Sequence, residues 1–148
     1  MTATSSDLAS PLAAGTPSSA LPPAAMGEPV PYGEDWTVAA TAAGATTVRD
    51  VTPAGMLVRV ELVVTNEGAE ARPFPYADLR LRDDQGRIST LDTLATTLAG
   101  EHPSRMFELG QPEETAVVFD VPVDATALIL ESTSDPNFRI EVSRTRSG

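Results

Sequence analysis

Twenty-one acids against ten arginines, with one histidine and neither cysteine nor lysine, give this 148-residue chain a formal charge of -11. That balance disfavours nucleic acid and anionic lipid surfaces, because nonspecific binding to phosphate backbones needs cations that displace counterions. Missing thiols and lysine amines exclude disulfides, thiolate nucleophiles, cysteine metal sites and Schiff-base chemistry.

Residues 1–31 consist mainly of Thr, Ser, Ala and Pro. Such a segment cannot bury enough apolar surface to offset the roughly 1–2 kcal/mol per residue needed to order its backbone, and it is expected to be a disordered linker. A proline-extended stalk and a start-site remnant without a role are both open readings. No run approaches the ~18 apolar residues of a membrane span, and the N-terminus lacks a basic region followed by an apolar one, so neither membrane insertion nor a signal peptide is expected. Residues 32–148 are expected to form one domain.

Trp36, Val38 and Ala40 alternate with Thr37, Ala39 and Thr41. Ala43-Gly44-Ala45 then loosens the pattern as a bulge or turn before Thr46 to Arg49 resume it. After the turn Thr52-Pro53-Ala54-Gly55, residues Met56 to Asn66 alternate strictly, with Met56, Val58, Val60, Leu62 and Val64 on one face. That is the period of a half-buried strand. Leu79 and Leu81 alternate with Arg80 and Arg82, and Asp83-Asp84-Gln85-Gly86 reverses the chain into Arg87 to Thr90, a hairpin.

Leu91, Leu94 and Leu98 fall at i, i+3 and i+7, preceded by Ser89-x-x-Asp92 and followed by Gly100, which predicts a short helix between strands. Three further strands follow, with Val117, Phe119 and Val121, then Leu128 and Leu130, then Phe138, Ile140 and Val142 pointing inward. Seven or eight short strands without a long helix predict an all-β, two-sheet antiparallel sandwich with one short helix in a connection.

The segments GEPVPYGEDWTVAA, GMLVRVELVVTNEG, YADLRLRDDQGR and ETAVVFDVPVDATALIL, in that order, resemble a bacterial domain-of-unknown-function family. Its members are immunoglobulin-like extracellular domains related to the mycobacterial immunoprotective secreted antigen. The resemblance runs from Gly27 to about Ser143. It implies an immunoglobulin-like sandwich, commonly carried on secreted or lipid-anchored proteins behind a low-complexity linker. It implies no enzymatic activity, no cofactor and no catalytic residues, and the expected location, extracellular or at the cell surface, rests on it.

Candidate chemistry is sparse. Thr65-Asn66 ends the long strand, and an Asn there more readily bonds neighbouring backbone than a ligand. Asp83, Asp84 and Asp92 could gather around calcium, although the spacing of a calcium loop is absent and a solvated hairpin tip explains the same residues. His102 with Met106 could recruit copper, and His102 is the residue a hydrolase would require, but no further donors and no nucleophile elbow accompany it. Glu113-Glu114 precedes a strand and suits edge protection. Phe74 and Tyr76, held in Pro73-Phe74-Pro75-Tyr76, are the candidate binding residues: exposed, they would anchor an interface; buried, they would cap the open end of the sandwich. The chain therefore reads as a noncatalytic extracytoplasmic binding or accessory module for a protein or cell-envelope partner. The alternative is a metal or small-ligand carrier using the acidic hairpin or the His102 loop.

Overall fold

The computed structural model describes residues 22–100 and 105–142. It is an immunoglobulin-like sandwich of two four-stranded antiparallel sheets. The first sheet contains β1 (Val30–Tyr32), β2 (Trp36–Ala45), β3 (Met56–Asn66) and β8 (Pro112–Val121), in the order β1-β2-β3-β8. The second contains β5 (Leu79–Asp83), β6 (Ile88–Thr90), β9 (Leu128–Ser132) and β10 (Arg139–Val142), in the order β10-β9-β5-β6. A short ladder of β4 (Arg72–Pro73) with β7 (Met106–Phe107) closes one end, and the helix α1 (Thr93–Leu98) lies between β6 and β7 in the chain.

The alternation in β3 places Val58, Val60, Leu62 and Val64 in the main core, facing Leu79, Leu81, Leu128, Leu130, Phe138, Ile140 and Val142 from the opposite sheet. Leu57, on the outer face of β3, is also buried. A smaller core of Val48, Leu57, Ala95 and Val118 forms there beneath α1. The sheet is therefore covered on both faces over part of its length, which explains the run of five buried residues from Thr115 to Phe119 in β8.

Two local expectations change, and the predicted helix takes a particular rotation. The irregularity in β2 lies between Ala40 and Ala42, not at Ala43-Gly44-Ala45, and the strand runs through to Ala45, while Thr46 to Arg49 form no strand. The buried positions jump from Ala40 to Ala43, the three-residue step that an inserted residue produces. Helix α1 turns Leu94 and Leu98 outward, 59% and 50% exposed, and buries Ala95 and Thr96 instead. Hydrogen bonds decide that rotation. The Asp92 carboxylate caps the helix by accepting from the Ala95 N–H at 2.9 Å, the Asp92 N–H donates to the Val118 carbonyl at 2.8 Å, and the Thr96 hydroxyl accepts from the Val118 N–H at 3.0 Å. Only small side chains let the helix approach β8 closely enough for these bonds. Finally, the fold begins before residue 32. Ala24 pairs with Ile140, the Gly27 N–H donates to the Ala40 carbonyl at 2.7 Å, and Val30 and Tyr32 alternate inward on β1, so the apolar positions near the end of the expected linker have core to pack against. Residues 1–21 of that linker lie outside the described residues.

These contacts also protect the sheet margins. Ala24 covers the outer edge of β10, and Leu91 bridges to Phe119 between β6 and β8, so the two sheets are stitched along both sides. Open edges invite pairing with other chains, and this stitching removes part of that surface.

At the end beneath β4 and β7, Phe74 lies within 6.3 Å, ring centre to ring centre, of Tyr32, Trp36, Tyr76 and Phe107, and Tyr32 stacks on Phe138 at 4.7 Å. Removal of a buried aromatic side chain typically destabilises by about 3–5 kcal/mol. Phe74→Ala should therefore lower the denaturant midpoint severely, whereas Leu94→Ala, on the exposed face of α1, should change stability by less than about 0.5 kcal/mol. Equilibrium unfolding of the two variants checks this rotation of the helix and the place of the ring together.

Candidate binding surface

Phe74 and Tyr76 are inside, 2% and 3% exposed. Pro73 pairs with Met106 in the β4–β7 ladder and Tyr76 opens a short 3-10 turn, a path that turns both rings into the cluster. The Tyr76 hydroxyl shares a buried hydrogen bond of 2.8 Å with the Thr115 hydroxyl. In this conformation the pair caps the sandwich, with both rings buried.

Asn66 is wholly buried and holds the same end together. Its amide donates to the carbonyls of Glu70 and Phe107, each at 3.0 Å, and its side-chain oxygen accepts from the Gly68 N–H at 2.9 Å. The backbone-bonding reading of this residue is the one the structure supports.

The hairpin acids are engaged by protein donors. The Asp83 carboxylate accepts from the N–H groups of Gln85 and Arg87 at 2.9 and 2.8 Å and from the Arg87 guanidinium at 2.6 Å. Burial pushes its pKa up, but the Arg87 and Gln85 hydrogen bonds and the Arg87 charge outweigh that, and the carboxyl lies below its ordinary value. Asp84 accepts from the Thr126 N–H at 3.4 Å, and Asp92 caps α1. Asp83, Asp84 and Asp92 thus serve three different structural tasks and do not converge on one ion. Met106 is exposed on β7, and His102 lies outside the described residues. Among the described residues, no group of three or more His, Asp or Glu could hold a metal.

Glu131, on the outer face of the second sheet, behaves like Asp83. Burial raises its pKa, the hydrogen bonds and charges of Arg82 and Arg80 lower it by more, and the net position is below its ordinary value. Both carboxyls are therefore more acidic folded than unfolded, and the stability they contribute is present at neutral pH and lost as pH falls through their folded values. Asp83→Asn and Glu131→Gln should each flatten the fall in denaturation free energy on acidification below the ordinary carboxylate range, which unfolding curves across that range measure. A pH dependence identical to that of the parent would contradict the assignment.

Among the described residues, a cleft of about 760 Å³ that was not legible in the sequence lies open to a partner. The strands β6 and β8 meet at Leu91 and Phe119 and then diverge, because β8 ends at Pro122 while β6 stays with the other sheet. One wall is residues 88–91, the other is residues 120–124, and Asp92 with Thr93 closes one end. Ala54 and Gly55 sit against the second wall, where the Asp120 carboxylate accepts from both of their N–H groups at 2.8 and 2.9 Å. A Cβ on Gly55 would collide with the Val121 carbonyl, so this approach requires glycine. Ile88 and Val123 stand on the rims, 40% and 70% exposed. Asp92, Asp120 and Asp124 line the same cleft, and Arg87 reaches Asp124 at 3.0 Å. Such a lining can take up an apolar side chain and attract a neighbouring cation. Only the apolar exposure of Val123 after a strand-ending proline would have marked it in the sequence.

No protein-family model and no curated protein sequence matches this chain. Solved structures do. The fold is similar to that of MPT63, a secreted protein from Mycobacterium tuberculosis. The superposition has a TM-score of 0.59 at 10% sequence identity and covers 80% of this chain and 97% of MPT63. The yjhA protein from Bacillus subtilis is similar at a TM-score of 0.56 and 12% identity, with 82% of this chain and 99% of that one covered. At these identities the likeness establishes a shared sandwich architecture. Among the described residues, no helix is long and apolar enough to cross a membrane.

Proposed function

We propose that this chain is a noncatalytic extracytoplasmic module of the MPT63-like immunoglobulin-fold group, and that it presents the β6–β8 cleft to a protein or cell-envelope partner. The observation that carries the reading is the pair Ile88 and Val123, exposed on opposite rims of one cleft. Isolated apolar side chains on a surface need no explanation, but two that flank a concave site are the usual form of a recognition surface.

Two further observations support it. The carboxylates around the cleft and the hairpin are bound to N–H groups or arginines that fix turns, which suits a rigid scaffold better than acid–base chemistry. The similarity in fold to a secreted mycobacterial protein supports placement outside the cytoplasm.

The test uses a photo-crosslinking residue at Val123 in the native host, combined with fractionation. A discrete adduct in the envelope or secreted fraction that disappears in an Ile88→Asp background, with the thermal midpoint unchanged within a few degrees, is the expected result. Recovery of the chain in the cytoplasm without an adduct would refute the proposal.

A further inference from the structure

The two four-stranded sheets have four outer margins, formed by β1, β8, β10 and β6, and three of them are covered or interrupted. β10 is covered by Ala24, whose N–H donates to the Arg139 carbonyl at 2.9 Å and whose carbonyl accepts from the Glu141 N–H at 2.8 Å. β1 carries Pro31, which has no N–H to offer. On β8 the Val118 N–H and carbonyl are taken by the Thr96 hydroxyl and the Asp92 N–H, and Pro122 follows the last residue of the strand. The margin of β6 is open at Ile88.

The hairpin sets the direction in which the Ile88 backbone groups point. The Asp83 N–H donates to the Arg87 carbonyl at 3.0 Å, so these two residues are a hydrogen-bonded pair. Antiparallel ladders alternate bonded and unbonded pairs, and with Arg82 opposite Ile88 and Leu81 opposite Ser89 the next bonded pair is Leu81–Ser89. The N–H and carbonyl of Ile88 therefore point away from β5, as do those of Thr90. Near Thr90 the place of a neighbouring strand is held by β8, which bridges antiparallel through Leu91 and Phe119. At Ile88 the two strands have diverged, and the cleft opens beside the strand margin. Among the described residues, no protein group bonds the Ile88 N–H or carbonyl.

Resting on the reading of this cleft as a partner site, we infer that its occupant is an extended peptide segment that adds a strand antiparallel to β6, with a β-branched apolar residue opposite Ile88 and arginine or lysine beside it. The residue opposite Ile88 exchanges both main-chain hydrogen bonds with it and sets its own side chain on the same face, against the exposed Ile88 side chain. Charge complementarity selects the cations. Asp92, Asp120 and Asp124 line the cleft, and no arginine lines it among the described residues. The Asp92 carboxylate accepts from the Ala95 N–H and the Asp120 carboxylate from the N–H groups of Ala54 and Gly55, neutral donors that leave both negative charges uncancelled. Asp124 is paired with Arg87. The same acids and the net charge of -11 oppose a second copy of this chain on the edge, and they make binding of a basic segment weaken as salt rises.

The probe is the capped peptide acetyl-Arg-Val-Arg-Val-Arg-amide, titrated into the full chain at low ionic strength and followed by the resonance and hydrogen exchange of the Ile88 amide. Saturable binding with slowed exchange at Ile88 is expected, weakened about tenfold or more when both valines are N-methylated and can no longer donate to the Ile88 carbonyl. Ile88→Pro removes the outward N–H without costing a bond to β5 and should weaken binding similarly. An unchanged thermal midpoint would show that this variant is folded, and the N-methylated peptide makes the same test on the unaltered protein. Binding that N-methylation leaves unaltered, equal affinity for acetyl-Glu-Val-Glu-Val-Glu-amide, or no saturable binding overturns strand addition. Protection of the Ile88 amide that grows with protein concentration in the absence of peptide would assign the edge to a second copy and overturn it as well. A crosslink at Val123 without the peptide response sinks strand addition alone and leaves the cleft its partner, whereas failure of both removes the cleft as a site.

Discussion

The aromatic cluster at the β4–β7 end is the constraint on which the rest of this sandwich depends. Six of the seven aromatic residues in the chain converge there, and Phe74 touches four of the other rings. The rings come from β1, β2, the β4 connection, the 3-10 turn, β7 and the approach to β10, so one cluster ties both sheets to the loops that join them. Edge-to-face pairs of this kind contribute about 0.5–1.5 kcal/mol beyond the burial of their area. The polar groups at the rim are matched as well: the Ser132 hydroxyl donates to the Tyr32 hydroxyl at 3.0 Å, and Asn66 secures the carbonyls of Glu70 and Phe107.

The opposite character of the β6–β8 cleft follows from the same architecture. At the cluster end the loops are pulled inward by rings, whereas at the cleft the chain leaves the sheet after Val121, the last residue of β8, and small side chains, Ala95 and Thr96, seat the helix nearby. The cleft walls are fixed by hydrogen bonds that the Asp92 and Asp120 carboxylates accept from backbone N–H groups, and the rims are left to Ile88 and Val123. A rigid scaffold with exposed side chains at one site is the arrangement that recognition uses, because little ordering entropy remains to be lost on binding.

Where periodicity was local, the sequence was readable. The strict alternation of Met56 to Asn66 marks β3 and its inward face, and Asp83 to Gly86 marks the hairpin, with Gly86 at φ 79°. Where side-chain fate depends on distant backbone, it was not. The helical spacing of Leu91, Leu94 and Leu98 marks the helix but not the face it buries, and hydrogen bonds to Val118 set a rotation of α1 that exposes Leu94 and Leu98. Two prolines around Phe74 correctly exclude a central strand, yet they say nothing of whether the ring is turned inward, which the β4–β7 ladder decides. The pairing of Arg80 and Arg82 with Glu131 becomes visible only once β5 and β9 are in register, since Arg80 and Glu131 are 51 residues apart in the chain. The cleft is equally nonlocal, built where two strands from different sheets part.

Trp36 is the only tryptophan and packs against Phe74 and Phe107, which makes its fluorescence a direct report on the cluster. The decisive measurement is denaturant unfolding followed in parallel by Trp36 emission and by the far-ultraviolet circular dichroism of the sheets. If the cluster holds the two sheets together, the transitions coincide and the chain unfolds as one cooperative unit. Loss of the Trp36 signal at a denaturant concentration where the β spectrum persists would show that the sheets stand without it and would contradict the account.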